Sequence, residues 1–153
     1  ALSFDKTLKF RNPHCHELGI MHGGRASGIL TGGNLTLLAA SMGTPYEVDT
    51  YGKILFIEEV NEDVSKTDRM LYQLKNSGKL AAAAGIMIGQ FERCKNKRMP
   101  EYGVIECLRD VFSDIDVPIM YDIQSGHGKP MMTLPFGAQC SIDTDKRKIT
   151  FNK

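Results

Sequence analysis

The chain has 153 residues, of which 42% are hydrophobic and 24% are charged, and this predicts one globular domain with its own core. The formal net charge is +1, so we expect no nucleic-acid or membrane-surface role, because both usually need a basic excess. No apolar run approaches the roughly 20 residues that span a bilayer, and no signal-peptide pattern is visible near the start.

The first half of the chain predicts two strands and two helices after an irregular start. Asn34 is a good N-cap for the apolar run that follows it, and Gly78 occupies the position of a helix C-cap. A continuous apolar run bounded by turns is typical of a strand buried on both faces. The predicted elements are a strand within Met21–Leu30, a helix over Leu35–Met42, a buried strand over Ile54–Ile57 and an amphipathic helix over Asp63–Ser77.

The second half predicts one more buried strand, a basic polar loop, a second amphipathic helix and a tail rich in strands. Helices first alternate with buried strands, and strands then dominate, which favours a layered α/β domain. The predicted elements are a strand over Ala82–Ile88, a loop over Cys94–Pro100, a helix over Tyr102–Phe112, and strands over Val117–Met120, Met131–Leu134, Ala138–Ile142 and Lys148–Phe151.

The four cysteines are widely spaced and form no C-x-x-C pair. We interpret them as reduced, mostly buried thiols of a cytoplasmic protein and do not expect a catalytic nucleophile among them. The segment His14-Cys15-His16 has the spacing of a metal site, but no second cluster with zinc-like spacing follows, so no metal is predicted. The cysteines are Cys15, Cys94, Cys107 and Cys140.

Glu58 is the first candidate for chemistry, because it follows the buried strand Ile54–Ile57. In open α/β sheets, ligands bind outside the carboxyl ends of the strands. A carboxylate buried there without a partner costs on the order of several kcal/mol, so an imidazole or arginine partner is expected. The alternative is a solvated acid on a loop beside Glu59 and Glu62, and the pattern alone favours that alternative.

His127 is the second candidate and lies between two glycines in Ser125-Gly126-His127-Gly128. Flanking glycines allow the backbone to approach a ligand closely and place the ring on a sharp turn. An imidazole in that position can act as a general base near neutral pH. The pattern alone supports equally an exposed loop histidine that has no chemical task.

Seven segments follow one another in order: Gly28–Leu35, Gly43–Tyr46, Ile54–Glu62, Asp68–Leu74, Gly85–Phe91, Gly126-His127 and Thr133–Ala138. Their order and spacing resemble the C-terminal domain of the LD-carboxypeptidase family, which includes murein tetrapeptide carboxypeptidases and microcin C immunity peptidases. The resemblance runs from about Gly23 to the end of the chain. The chain departs from the family at Glu59, where Asp is frequent, and near Ser65, where the family tends to have an aromatic residue.

The resemblance implies a two-domain serine hydrolase. Its N-terminal flavodoxin-like domain bears the nucleophilic serine, and its C-terminal half is a swivelling β/β/α layered α/β domain with a mixed sheet. Residues 1–153 would form that second domain, with Glu58 matching the glutamate and His127 the histidine of the triad. The serines from Ser27 to Ser141 match no nucleophile segment, so the N-terminal domain is expected to be absent from this chain, which also begins without Met.

The function that the resemblance implies is hydrolysis of the amide bond to the terminal D-alanine of murein tetrapeptide during cytoplasmic peptidoglycan recycling. The chain alone is expected to be inactive, no metal or organic cofactor is implied, and a homodimer is compatible with the family. One alternative is a microcin C-type self-immunity peptidase, which the absence of Trp disfavours. The other is a non-catalytic binding module, which has little need for both Glu58 and His127.

Overall fold

The computed structural model describes residues 7–13 and 16–152, so His14 and Cys15 of the histidine-rich segment lie outside the described residues. Within the described ranges the chain forms eight strands. These are β1 (Leu8–Phe10), β2 (Gly19–His22), β3 (Arg25–Asn34), β4 (Ile54–Val60), β5 (Gly85–Glu92), β6 (Ile119–Tyr121), β7 (Gln139–Asp143) and β8 (Lys148–Asn152).

Four helices accompany the strands in the same ranges. The Asn34 side chain caps the first of them by accepting a hydrogen bond from the Leu37 N–H, as predicted. Gly78 follows the second with φ of 76°, a left-handed conformation that favours glycine. None of these helices has the length and hydropathy of a membrane-spanning segment. The helices are α1 (Leu35–Ser41), α2 (Val64–Asn76), α3 (Lys79–Ala82) and α4 (Val104–Phe112).

The strands form one mixed sheet in the order β1-β8-β7-β3-β4-β5-β6-β2. Strand β3 joins the two halves of this sheet. Residues 25–29 of β3 pair antiparallel with β7, and residues 30–34 pair parallel with β4. Strands β4, β5 and β6 continue the parallel half, while β1, β7 and β8 form the antiparallel half.

Two apolar cores divide the molecule into three layers. Along β4, side chains alternate between them, so Leu55 and Ile57 join the helix-side core while Ile54 and Phe56 join the other. The second core also contains side chains from β1, β7 and β8, so it lies between the two halves of the sheet. The arrangement is β/β/α, and it confirms the layered α/β domain with a mixed sheet.

The structure differs from the sequence prediction in four places. The N-terminal segment contains β1 and β2, and β2 is separated from β3 at Gly23-Gly24. Helix α3 ends at Ala82, where a strand was predicted to begin. Strand β4 continues to Val60, so Glu58 lies on the strand and not after it. The prediction of a strand over Met131–Leu134 was wrong, because that segment pairs with no neighbouring strand and its Met132 N–H bonds to the Gln124 carbonyl of the preceding loop.

Candidate active site

Glu58 and His127 form a direct pair, although 69 positions separate them along the chain. The Nδ1 atom of His127 lies 2.7 Å from Oε2 of Glu58. Glu58 is only 5% exposed, whereas the His127 side chain is 52% exposed. The pair therefore has a buried carboxylate at its base and an imidazole at the surface.

The position of Glu58 follows from the alternation of side chains along β4. Glu58 follows Ile54 and Phe56 with a period of two, so it faces the side of the parallel sheet that the antiparallel half covers. It also lies near the carboxyl end of its strand, at the edge where open α/β sheets place ligands. Its burial creates the need for a polar partner, and His127 meets that need.

The glycines on either side of His127 allow the turn to pack directly against the sheet. Gly126 has φ of 134°, and a Cβ atom there would lie 2.9 Å from Oε2 of Glu58. A Cβ atom on Gly128 would lie 2.6 Å from Nε2 of Gln90. Side chains at these two positions would therefore push the turn away from the carboxylate or displace the Gln90 side chain.

The bond to Glu58 uses Nδ1 of His127 and leaves the other ring nitrogen, Nε2, available for proton transfer. Among the described residues, no protein group hydrogen-bonds to Nε2. A carboxylate that accepts a hydrogen bond from Nδ1–H fixes the imidazole tautomer in which Nε2 carries a free lone pair. The arrangement can therefore take up a proton at Nε2 and stabilise the resulting imidazolium.

Glu59 lies next to Glu58 on β4, and the sequence analysis treated it as a neighbouring loop acid and as a departure from the family. It is buried and accepts hydrogen bonds from the side chain of Asn34, from the N–H and hydroxyl of Thr36, and from the Val60 N–H, at 2.7–2.9 Å. Burial acts to raise the pKa of Glu59, but these hydrogen bonds outweigh it and hold the pKa below its ordinary value of 4.5. Glu59 thereby ties the end of β4 to the start of α1.

No serine hydroxyl of the described ranges forms a hydrogen bond with His127. Ser41 bonds to a carbonyl group of its own helix, and Ser77 and Ser113 bond to carbonyl groups of the helices that they follow. Ser27 bonds to Ser141 across the antiparallel half of the sheet. Ser125 is close to His127 in sequence, but no hydrogen bond joins its hydroxyl to the imidazole.

The cysteines of the described ranges are not activated thiols. Cys107 and Cys140 are fully buried, and burial raises the pKa of each thiol to about 12. Burial also raises the pKa of the half-buried Cys94. Reactive thiols need a lowered pKa, so these three positions are not poised for nucleophilic attack.

Within residues 7–13 and 16–152, no group of three or more His, Cys, Asp or Glu side chains has an arrangement that could hold a metal ion. His16 is described, but the two residues before it in the histidine-rich segment are not. The prediction that this segment holds no metal therefore concerns residues that lie partly outside the described ranges.

Comparison with known proteins finds one family over most of the sequence. A family described as LD-carboxypeptidase C-terminal domain matches residues 27–142. A probable murein peptide carboxypeptidase of Bacillus subtilis is 41% identical over 125 residues, which cover 81% of this chain and 39% of that protein.

Two solved proteins have similar folds. Muramoyltetrapeptide carboxypeptidase from Oxalobacter formigenes matches with a TM-score of 0.77 and 30% identity over 95% of this chain and 49% of that one. The microcin C7 self-immunity protein MccF of Escherichia coli matches with a TM-score of 0.79 and 26% identity, over 89% and 41% respectively, in a complex with aspartyl sulfamoyl adenosine. The chain spans less than half the length of each of these relatives.

Proposed function

This chain belongs to the LD-carboxypeptidase family as a C-terminal domain, and on that premise we propose that Glu58 and His127 are two members of a Ser-His-Glu catalytic triad. The observation that carries the proposal is the 2.7 Å contact between Nδ1 of His127 and the buried Glu58 carboxylate. A surface histidine without a chemical task has no need of a buried acid on a neighbouring strand, and burying that acid is costly.

We place the nucleophilic serine on a separate N-terminal flavodoxin-like domain, as the family resemblance implies. The Nε2 atom of His127 takes the proton of the serine hydroxyl while the serine oxygen attacks the carbonyl carbon of the scissile amide. His127 then gives that proton to the departing amine, which leaves an acyl-enzyme. Water hydrolyses the ester with His127 again acting as the base, and Glu58 holds the ring orientation throughout.

The substrate class that we propose is murein tetrapeptide, which loses its terminal D-alanine. Support comes from the Bacillus subtilis relative and from the Oxalobacter formigenes structure, whose names specify murein or muramoyl peptides. Such a substrate fits a cytoplasmic enzyme of peptidoglycan recycling. The homodimer that the resemblance allows stays a prediction, and light scattering of the full-length protein measures it directly.

The test is release of D-alanine from murein tetrapeptide by the full-length protein that contains this chain. We expect turnover by the full-length protein, and none by the 153-residue chain alone or by the His127→Ala variant. Turnover by the chain alone would disprove a serine supplied from outside it. Full activity of His127→Ala would remove His127 from the mechanism, and absence of turnover by the wild-type full-length protein would favour a non-catalytic module.

A second candidate is self-immunity against a peptidyl-nucleotide antibiotic. It is favoured by the MccF relationship, because that protein aligns with 97% of this chain and its structures include aminoacyl sulfamoyl nucleosides. The triad chemistry is the same, and only the leaving group differs. Comparing kcat/KM for murein tetrapeptide and for a peptidyl nucleotide on the full-length enzyme separates the two, and we expect preference for the murein peptide.

A further inference from the structure

Gln90 is bonded to the loop on both sides of His127. Its Oε1 atom accepts a hydrogen bond of 3.0 Å from the Gly128 N–H. Its Nε2 atom donates to the Pro130 carbonyl and to Oε1 of Gln124, both at 3.1 Å. We infer that Gln90 is a positioning residue that holds His127 against Glu58, an inference whose catalytic meaning rests on the proposed function.

An irregularity in β5 brings the Gln90 side chain to this place. Ile57 pairs with Ile88 and Glu59 pairs with Phe91, so Gly89 and Gln90 both lie opposite Glu58. A bulge of this kind re-aims a side chain and is common beside active sites. The result is that Gln90 and Glu58 approach the same turn, because a Cβ atom on Gly126 would lie 3.4 Å from Cβ of Gln90 and 2.9 Å from the Glu58 carboxylate.

The amide of Gln90 uses both of its N–H donors and its oxygen on this one loop. The main chain of Gln90 adds a fourth bond, from its N–H to the Ser125 carbonyl at 2.9 Å. These bonds fix positions 124, 125, 128 and 130 on the end of β5. The loop itself contains no helix or strand, and the four bonds of Gln90 hold it together with the bond that Asn12 accepts from the Gln124 N–H.

In the part of the chain that the structure describes, His127 has one hydrogen bond of its own to the sheet, the contact with Glu58. If Gln90 is lost, that bond alone must orient a half-exposed ring on a glycine-flanked turn. A displacement of about 1 Å in a reacting group costs on the order of 100-fold in rate. Gln90 contacts no substrate in this scheme, so its loss should lower kcat and leave KM nearly unchanged.

The first test uses the full-length protein with Gln90→Ala, Gln90→Met and the matched control Gln73→Ala. Gln73 also donates a side-chain hydrogen bond, to the Ala39 carbonyl, but it lies on α2. We expect kcat for murein tetrapeptide to fall by about 10- to 100-fold in both Gln90 variants, and to stay unchanged in the control. The Met variant keeps the volume of the side chain, so it remains informative if the Ala variant unfolds.

The second test monitors the hydrogen bond between His127 and Glu58 directly and does not require enzymatic activity. In the full-length protein, the Nδ1–H proton resonance of His127 and the exchange protection of the Gly128 amide are measured by NMR. Both should be lost in Gln90→Met and kept in Gln73→Ala. Unchanged signals together with wild-type kcat in Gln90→Met would overturn the inference.

A third variant tests the contact from the other side of the loop. A Cβ atom on Gly128 would displace the Gln90 amide, so Gly128→Ala should mimic the loss of Gln90. Its effect on kcat should therefore be small in a Gln90→Ala background, and fully additive effects on kcat would contradict a shared contact. If the wild-type full-length protein releases no D-alanine while the resonances respond as expected, the proposed substrate fails and the role of Gln90 stands.

Discussion

Glu58 and Glu59 are adjacent on β4, yet their carboxylates lie on opposite faces of the sheet. Glu58 faces the side shared with the antiparallel half and bonds to His127. Glu59 faces the helix layer and bonds to Asn34 and Thr36 at the start of α1. Successive side chains of a strand point to opposite faces, so Glu58 pairs with His127 while Glu59 holds the end of the strand in place.

The first prediction concerns Glu58→Gln in the full-length protein. The substituted amide still fills the space but favours the wrong imidazole tautomer, so kcat should fall by about 10³- to 10⁴-fold. D-alanine release at saturating murein tetrapeptide measures the effect. Glu47→Gln is the control, because Glu47 bonds to Lys79 and to the Gly43 N–H away from His127. Equal activity of the two variants would refute a role for Glu58.

The second prediction concerns Glu59→Gln and protein stability. The substituted amide cannot accept all the hydrogen bonds that Asn34, Thr36 and Val60 donate, so the free energy of unfolding should fall by about 2–3 kcal/mol. Urea unfolding measures it. The control Glu62→Gln removes only a surface ion pair with Lys66 and should cost less than about 1 kcal/mol.

The same variant should alter the pH dependence of stability. Hydrogen bonding holds the pKa of Glu59 in the folded state below its ordinary value of 4.5. A depressed carboxyl pKa contributes stability that is present above pH 4.5 and is lost as the pH falls through the lower folded-state value. Between pH 6 and pH 3 the wild type should therefore lose more stability than Glu59→Gln. Parallel curves would show that Glu59 does not titrate in this way.

The third prediction concerns the turn before His127 and distinguishes the backbone strain of a Gly→Ala change from its steric contact with Glu58. Gly126 and Gly137 both have positive φ, of 134° and 84°, but only at Gly126 would a Cβ atom meet Glu58. Each Gly→Ala change should cost about 1–3 kcal/mol of stability. Only Gly126→Ala should also abolish D-alanine release, and comparable activity in the two variants would mean that the turn tolerates a displaced Glu58.

The fourth prediction concerns thiol reactivity. With a pKa of about 12, only about one Cys107 or Cys140 thiol in ten thousand is ionised at pH 8. Iodoacetamide labelling of the native protein at pH 8, followed by peptide mass spectrometry, should modify Cys94 before either of these. Labelling of all three at one rate would indicate that the protein opens globally during the reaction.

The sequence predicted well those parts of the fold that depend on local pattern. The apolar run Ile54–Ile57 and the capped helix after Asn34 are both present, because burial on two faces and a capping side chain leave signals in adjacent residues. The segment Met131–Leu134 was wrongly predicted as a strand. Its apolar residues resemble a strand, but its hydrogen bonds go to a loop that local pattern does not reveal.

The candidate site was only partly predictable for the same reason. Glu58 and His127 each carried a local signal, a charge at a strand end and a histidine between glycines. Gln90 carried none, because its importance comes from an irregular strand pairing that exists only in the assembled sheet. The burial of Glu59 could not be predicted from local pattern, because it depends on how α1 packs against the end of β4.

Strand β3 has a mechanical consequence for the whole molecule. Its first five residues pair with the antiparallel part of the sheet and its last five with the parallel part, so both parts depend on one strand. Peeling away either part would strip β3 of hydrogen-bond partners along half its length and expose an apolar layer to water. The two halves of the sheet are therefore joined through β3, and separating them costs the hydrogen bonds of that strand as well as the core that lies between them.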